Sequence, residues 1–366
     1  MDLGLPDLFP AAAGGAGVRP VVKLVKGPAA PAGGGFGSDL LSAAAGALGL
    51  GGGAQPDPLT DSLSSLVVHL APAPFVAQAR LRFLPREDFP DLATGDELSV
   101  QLGFDGSPQP VLAGQIAMMA RRGDGSLDVT LASKAVALAA QRENTGYEQQ
   151  SFSDLLSQWA SLAQLTPGDI ASGPSYPFLA VDDRTSLWDW IAQLARHAGV
   201  PAWVDASGQL QAHATSGPPV RTFKYGEDVL AFEATERDPM ASASSVAGEG
   251  SAGTQGASAW AWLAKDNSAN QATSGDGPAI GLWSDGALRS TSAAQGAADG
   301  QAAAAKRLAT TVRVTVPGAP DIDVASPFAI EGCPNGLGDG EYAALQVRHR
   351  FDARRGLVTE LVGGLA

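Results

Sequence analysis

Four histidines are the first candidates for acid–base or metal chemistry in this chain of 366 residues. They are His69, His197, His213 and His349, and they are scattered too widely to suggest a metal-ligand set or a catalytic triad. His197 falls in the last turn of a predicted helix, where positive charge complements the helix dipole. His349 alternates with its neighbours in a predicted strand. We therefore expect both to be structural and not catalytic.

A pair of adjacent carboxylates and a single cysteine are the other reactive groups. Asp182 and Asp183 could pair as acid and base or hold a cation. They precede a predicted helix, however, where carboxylates stabilise the positive end of the dipole, and we expect them to cap that helix. Cys333 stands before Pro334 without an adjacent base, so we expect no nucleophile there. One cysteine also excludes an internal disulfide and any multi-cysteine metal site.

Short motifs add no chemistry. Gly248–Gly253 reads G-x-G-x-x-G with Asp266 downstream, as in a dinucleotide-binding turn, but no clear helix follows and strands do not alternate with crossover helices. We expect a chance match in a glycine-rich chain. No lysine precedes Ser or Thr, so there is no P-loop, and neither G-x-S-x-G nor a paired-histidine zinc motif occurs. The sequence predicts no catalytic residue, no cofactor and no metal ligand.

The charge balance of the chain is acidic. There are 24 basic and 38 acidic residues, for a net charge of −14. This sign disfavours gripping of phosphate backbones, so we expect no specific nucleic-acid binding, although an acidic wall would let DNA pass without sticking. Asp2 and Asp7 stand where a signal peptide needs positive charge, and no apolar run approaches the roughly 20 residues that span a bilayer. We expect a protein made in the cytoplasm, without a membrane anchor.

Residues 1–140 have the pattern of an antiparallel β-domain. Residues 18–26 form a predicted strand, and the glycine-rich residues 27–58 form a predicted insertion. Five further short segments alternate apolar and polar residues between Pro or Gly. Arg122–Asp124 matches an adhesion tripeptide, but Gly and Asp are also what hairpin turns select, and we expect a turn.

Residues 141–218 predict a helix-and-hairpin domain. Apolar residues recur at helical spacing after Ser151 and again after Ser186, and both serines are candidate N-caps. Thr166-Pro167-Gly168 is expected to stop the first helix, and Gly199 the second. The segment PAWVDASGQLQAHA then predicts a hairpin.

Residues 219–366 predict a second β-domain with a long loop. We expect loops from residue 250 to 299, in which Trp260, Trp262 and Trp283 pack within the protein or mark a contact surface. An alanine-rich helix from residue 297 and four strands follow, the last two joined in a hairpin about Asp352–Gly356.

The closing sequence GDGEYAALQVRHRFDARRGLVTELVGG resembles the final strands of the phage late control gene D proteins. These are the hub family of contractile tails, shared with the hub part of type VI secretion VgrG spikes. Gly340, Tyr342, Val347, His349 and Gly356 fall at the G-x-Y, V-x-x-x-H and turn-glycine positions of that pattern. The segment YPFLAVDDRTSLWDWIAQLARHAGVPAWVDASGQLQ is similar to a unit of the same family that consists of a helix, a glycine, a strand and the motif D-x-x-G-x-L.

The resemblance implies an α+β, mainly β fold with two tube-like antiparallel β-barrel domains and an intervening helix-and-hairpin domain. It implies a non-enzymatic homotrimer in the tail baseplate that presents six barrels, so that a threefold central spike protein docks under a sixfold tail tube protein. Baseplate wedge and tape-measure proteins are further candidate partners. A channel for cargo is implied as well, and the acidic balance would suit its wall.

Two other classes of function are compatible with the sequence. One is a tail-associated cell-wall hydrolase, for which no acid–base constellation is evident. The other is a carbohydrate- or receptor-binding module, which would use exposed aromatic side chains such as the three tryptophans.

Overall fold

The computed structural model describes residues 20–27, 57–104, 107–237, 243–248, 271–276, 280–354 and 356–366. Within these ranges the chain is α+β and mainly β, with one twelve-stranded sheet and three small sheets, as predicted. Most of the predicted insertion at 27–58 lies outside the described residues. So do all but the first residue of the G-x-G-x-x-G motif, Asp266, Trp260 and Trp262.

The first half of the large sheet contains six antiparallel strands. They are Pro20–Lys26 (β1), Leu63–Leu70 (β2), Gln78–Phe83 (β3), Glu97–Phe104 (β4), Gln109–Arg121 (β5) and Leu127–Ser133 (β6), with a short helix at Pro58–Asp61 (α1). Their order in the sheet is β1-β4-β5-β6-β3-β2. Alternate residues point inward, as in β6, where Leu127, Val129 and Leu131 are buried.

The turn between β5 and β6 is the predicted hairpin. The Arg122 N–H donates to Ser126 O at 2.9 Å, and Asp124 Oδ1 accepts from the Ser126 N–H at 2.9 Å. Gly125 has φ +82°, a conformation that glycine adopts without strain. The Arg-Gly-Asp triplet is thus part of a tight turn.

The helix unit follows the first half. Its elements are Ala135–Ala140 (α2), Thr145–Ser151 (β7), Phe152–Leu162 (α3), Thr166–Ile170 (β8), Ser175–Val181 (β9), Leu187–Ala198 (α4), Ala202–Val204 (β10) and Gln209–Ala212 (β11). Ser151 and Ser186 cap α3 and α4, and Gly199 ends α4 at φ +68°, as their sequences predict. Thr166-Pro167-Gly168, predicted only as a helix stop, begins a strand that pairs with β11.

The second half contributes six further strands to the large sheet. In chain order it contains Arg221–Lys224 (β12), Ala231–Glu236 (β13), Ala243–Gly248 (β14), Gln271–Gly275 (β15), Ile280–Asp285 (β16), Thr291–Ala309 (α5), Thr310–Pro317 (β17), Pro327–Glu331 (β18), Gly340–Asp352 (β19) and Gly356–Leu365 (β20). The six large-sheet strands lie in the order β12-β18-β19-β20-β17-β13, while β14, β15 and β16 form a separate small sheet.

The prediction of loops from 250 to 299 is wrong for the described part of that range. It contains β15, β16 and the start of α5, which begins at Thr291 and not at residue 297. Strand β15 escaped recognition because its residues are Gln, Ala, Thr, Ser and Gly, and β16 because its apolar residues form only a short segment in glycine- and serine-rich sequence.

Part of the predicted second β-domain, 219–366, packs outside the large sheet. Val246, Ala272, Leu288 and Ala297 pack into the core of the helix unit and not into the core of the sheet. The contact is close because the two glycines Gly199 and Gly300 let α4 and α5 approach: a Cβ added at Gly300 would lie 2.7 Å from the Gly199 nitrogen. The other predicted boundaries, at 140 and 218, stay predictions.

The apolar residues of the large sheet form one core that includes both halves: Leu24 and Leu66 of the first half and Val347 and Leu361 of the second belong to it. In the first half the two end strands approach each other, because α1 leads directly into β2 and also contacts β1. Within the described chain β1 pairs only with β4, and the Leu24 N–H reaches Thr60 Oγ1 of α1 at 3.0 Å. The tube-like shape is thus completed by α1 and not by strand pairing.

Candidate functional site

His349 is a buried member of the large sheet. Its Nδ1 lies 2.9 Å from Thr359 Oγ1, and this oxygen also accepts from the Ala319 N–H at 2.9 Å. Burial lowers the pKa of His349 to about 4, because the core disfavours the charged ring. The imidazole is therefore neutral at neutral pH and buried within the sheet.

His197 belongs to a buried polar network that the sequence did not reveal. Its Nδ1 lies 3.2 Å from the Tyr176 hydroxyl and its Nε2 lies 3.1 Å from Asp285 Oδ2. The Gln193 amide donates to the same carboxylate oxygen at 2.6 Å, and the Trp283 ring packs 5.1 Å from the imidazole. The network ties α4 to β9 and β16. No sequence signal links Asp285 to a histidine 88 positions earlier.

A cleft of about 1140 Å³ opens beside this network, between α5 and the small sheet of β14, β15 and β16. Asp285 lines it, together with the exposed Arg196 and Lys306. The Asp285 carboxylate already accepts bonds from Gln193 and the Ala287 N–H and contacts His197. The geometry thus commits this carboxylate to holding the fold.

Asp182 and Asp183 do not cap α4, so that expectation is wrong. Ser186 occupies the N-cap and accepts from the Asp189 N–H at 3.1 Å. Asp182 instead accepts from the Arg184 N–H at 3.1 Å in the turn before the helix. A serine hydroxyl next to the first turn out-competes carboxylates three and four residues further away.

The remaining candidates are Cys333, His213 and His69. Cys333 is buried, and this burial, together with the neighbouring Asp339, raises the pKa of its thiol to about 11, so that the thiol is protonated at neutral pH. His213 packs 4.9 Å from the Trp203 ring, and His69 lies on the outer face of β2. In the described ranges no three His, Cys, Asp or Glu side chains cluster as metal ligands. No described helix is long and apolar enough to cross a membrane.

The two halves of the large sheet share one architecture. Numbered in chain order within each half, the six strands lie in the order 1-4-5-6-3-2 in both. The fifth strands, β5 and β19, are each 13 residues long, and each is irregular in its pairing with the sixth, at Ile116/Met118 and Ala344/Gln346. One difference is that β1 and β4 are antiparallel whereas β12 and β18 are parallel. The chain therefore contains an internal structural repeat.

A seam of main-chain pairing joins the halves. Strand β2 pairs with residues Val347–Asp352 of β19. The equivalent part of β5, Ala117–Arg121, pairs with β6 on one side and with no described strand on the other. Strand β13, the equivalent of β2, pairs only with β17 among the described strands. Among the described strands there is thus one filled junction, between β2 and β19, and two complementary edges, on β5 and β13, that no described strand pairs with.

The outer face of the seam is rich in arginine. Arg80 and Arg82 lie on β3, and Arg348 and Arg350 on β19. The net charge of the chain does not describe this face. The patterns R-L-R and R-H-R in the sequence place both pairs on one face of a strand, but only the register of the sheet brings them together.

Solved structures of tail proteins share this fold. The tail protein from Neisseria meningitidis MC58 is 15% identical, with a TM-score of 0.63 over 83% of this chain and 92% of that chain. The 43 kDa tail protein of prophage MuSo2 from Shewanella oneidensis is 12% identical, with a TM-score of 0.63 over 82% and 93%.

A third similar structure comes from a secretion system. An E. coli type VI secretion component, described as similar in structure to T4 bacteriophage tail proteins gp27 and gp5, is 9% identical, with a TM-score of 0.52 over 82% and 73%. At such identities these likenesses establish the fold. No curated protein matches the sequence.

A family model described as the Alg8 N-terminal domain matches residues 87–333, about two thirds of the chain. The chain belongs to this family. The Alg8 N-terminal domain match begins before β4 and ends after β18, so it spans the helix unit and parts of both halves. The resemblance to the late control gene D family has no match among these comparisons and stays a prediction.

Proposed function

We propose that the protein is a structural hub in the baseplate of a contractile phage tail or a related injection particle. Three copies would form a ring that joins a sixfold tail tube to a threefold central spike and leaves a channel for cargo. It would act through shape and interfaces and not through catalysis. The fold shared with tail proteins supports the tail role, and the structural repeat supports the ring.

The repeat carries this proposal because it supplies its own interface. Within one chain, the outer edge of β2 fills the free part of β19. Between chains, the equivalent β13 would fill the free part of β5. A head-to-tail contact of this kind closes into a ring when its rotation repeats evenly. Three chains with two halves each then present six equivalent units.

The register of the interface follows from the repeat. Matching the β5–β6 and β19–β20 turns places Arg122 at the position of Asp352. The pairings from β6 through β3 to β2, and the equivalent pairings from β20 through β17 to β13, then place Ala231 at the position of Val67. Since Val67 pairs with Arg350 across the seam, Ala231 of one chain would pair with Ala120 of the next.

The side chains agree with this register. Ala120 and Ala231 are both exposed. One residue along, Met119 and Phe232 would pair, and both pack against the apolar core of the chain. Core-facing residues would thus meet core-facing residues, as a continuous sheet requires.

Cysteine cross-linking tests the register. Paired residues in antiparallel strands have Cα atoms about 4.5–5.5 Å apart, which a disulfide can span. The variant Ala120→Cys/Ala231→Cys should form covalent oligomers on oxidation, ending at a trimer. The matched control Ala120→Cys/Thr235→Cys places the second cysteine about 13 Å further along the same face and should not cross-link.

Light scattering and negative-stain microscopy of the native protein, alone and with its spike protein, should show a threefold ring. A protein that stays monomeric with its spike present would overturn the ring. A ring whose cysteine pair and control cross-link equally would overturn only the register.

A further inference from the structure

The outer face of the seam carries a compact group of arginines. Arg80 and Arg82 alternate along β3, Arg348 and Arg350 alternate along β19, and Arg122 begins the β5–β6 turn. Residues paired across strands share a face, so Arg80, Val67 of β2 and Arg350 form one row across three strands. With strands about 4.8 Å apart, the two arginines of this row are about 10 Å apart at the backbone.

The carboxylates on this face do not balance the arginines. Glu360 is shared, at 3.1 Å from Arg350 and 3.7 Å from Arg348. Asp128 is likewise shared, by Arg122 at 2.5 Å and Arg82 at 3.6 Å.

Asp352 is the third carboxylate, at the end of β19 in the row of Arg82. Arg80 has no ion pair with any residue that the structure describes. Asp124 of the β5–β6 turn is the fourth carboxylate, and Arg82 lies close enough to lower its pKa. Five guanidinium groups therefore face four carboxylates on a chain whose net charge is −14.

The chemistry of the face favours a polyanion over a protein partner. The cores of protein interfaces are built on aromatic and apolar anchors. The side chains that fill the rows between these arginines are Val67, Gln78, His69 and Thr130, which are small or polar and include no Phe, Tyr or Trp. A guanidinium group is planar and always charged, and it can bind a phosphate through two parallel hydrogen bonds.

We propose that this face binds the phosphate backbone of nucleic acid, without regard to sequence. Its arginines are spaced about 7 Å along the strands and about 10 Å across them, so several phosphates of one strand can be contacted at once. The face is complete within a single chain, so the proposal goes beyond the ring and does not depend on it. Repulsion from the rest of the acidic chain keeps the contact weak and strongly dependent on salt.

Fluorescence anisotropy with a labelled oligonucleotide, single-stranded and as a duplex, in two unrelated sequences, tests the proposal. The variant Arg80→Gln/Arg350→Gln removes two charges from the face. The control Arg184→Gln/Arg196→Gln removes the same charge from exposed positions on the helix unit. Circular dichroism establishes that both variants are folded.

We expect the wild type and the control to bind at about 20 mM salt and to weaken together as salt rises toward about 200 mM. The face variant should bind about ten-fold more weakly at low salt, and its slope of log affinity against log salt should fall by about 2. Equal loss in the control, no wild-type binding at low salt, or a preference for one sequence would each overturn the proposal. Competition by polyglutamate as effective as that by DNA of equal charge would assign the face to an acidic protein instead.

Discussion

Asp323 gives the sharpest test of how the two cores are joined. It follows β17, and its Oδ2 accepts from Trp203 Nε1 of the helix unit at 3.3 Å. Its Oδ1 accepts from the Val324 N–H at 2.7 Å. Burial, and to a smaller extent repulsion from Asp205, raises the pKa of Asp323 to about 6 despite these bonds.

The magnitude follows from linkage. A pKa raised from 3.8 to about 6 means that the folded state binds the proton more tightly, by about 3 kcal/mol at 1.36 kcal/mol per unit. The stability contributed by the protonated group is complete below pH 3.8 and is lost as the pH rises through 6. At pH 8 the ionised carboxylate therefore lowers the free energy of unfolding by about 3 kcal/mol relative to acid.

Asp323→Asn removes this dependence. Relative to wild type, the variant should gain about 2 kcal/mol between pH 4 and pH 8, and about 1 kcal/mol between pH 5 and pH 8. Urea unfolding followed by tryptophan fluorescence over pH 5 to 8 measures it. Asp183→Asn, at an exposed position, is the control. If the Asp323→Asn and wild-type curves stay parallel across this range, the argument from burial is refuted.

Three other changes test the local arguments. The wild-type protein should lose about 3 kcal/mol of its free energy of unfolding as the pH falls from 6.5 to 4, because the pKa of His349 in the folded state is about 4. His349→Gln should remove this loss, which urea unfolding at several pH values measures. Ser186→Ala should lower the free energy of unfolding by about 1 kcal/mol through loss of the cap, measured at neutral pH. Gly300→Ala should cost about 2 kcal/mol or more, because its Cβ would meet the Gly199 backbone; a melting temperature equal to wild type would contradict this.

Local patterns in the sequence were sufficient for the large sheet and for helices α3 and α4. Period-two alternation predicted the strands on both sides of the helix unit, because one face of each is buried. Ser151 and Ser186 predicted the helix starts, because capping depends on residues within one turn.

Features made by distant residues could not be predicted in this way. The network of His197 and Asp285 joins positions 88 apart. The small sheet joins β14 to β15 and β16, which follow it by more than 20 residues and whose short sequences have the composition of a loop. The free edges of β5 and β13 are properties of strand pairing and not of composition. For the same reason the net charge of −14 could not predict the group of arginines on the outer face of the seam.

The seam between the halves also determines how the protein carries a mechanical load. Strands β2 and β19 are joined by six antiparallel residue pairs, and their hydrogen bonds run perpendicular to the strands. A pull along the strand direction loads these bonds in shear, so that they must break together, whereas a pull across the strands would open them one pair at a time. The seam therefore transmits a force that acts along the strands from one half to the other without opening. It is weakest against a force that pulls β2 and β19 apart, starting at the end near the β19–β20 turn.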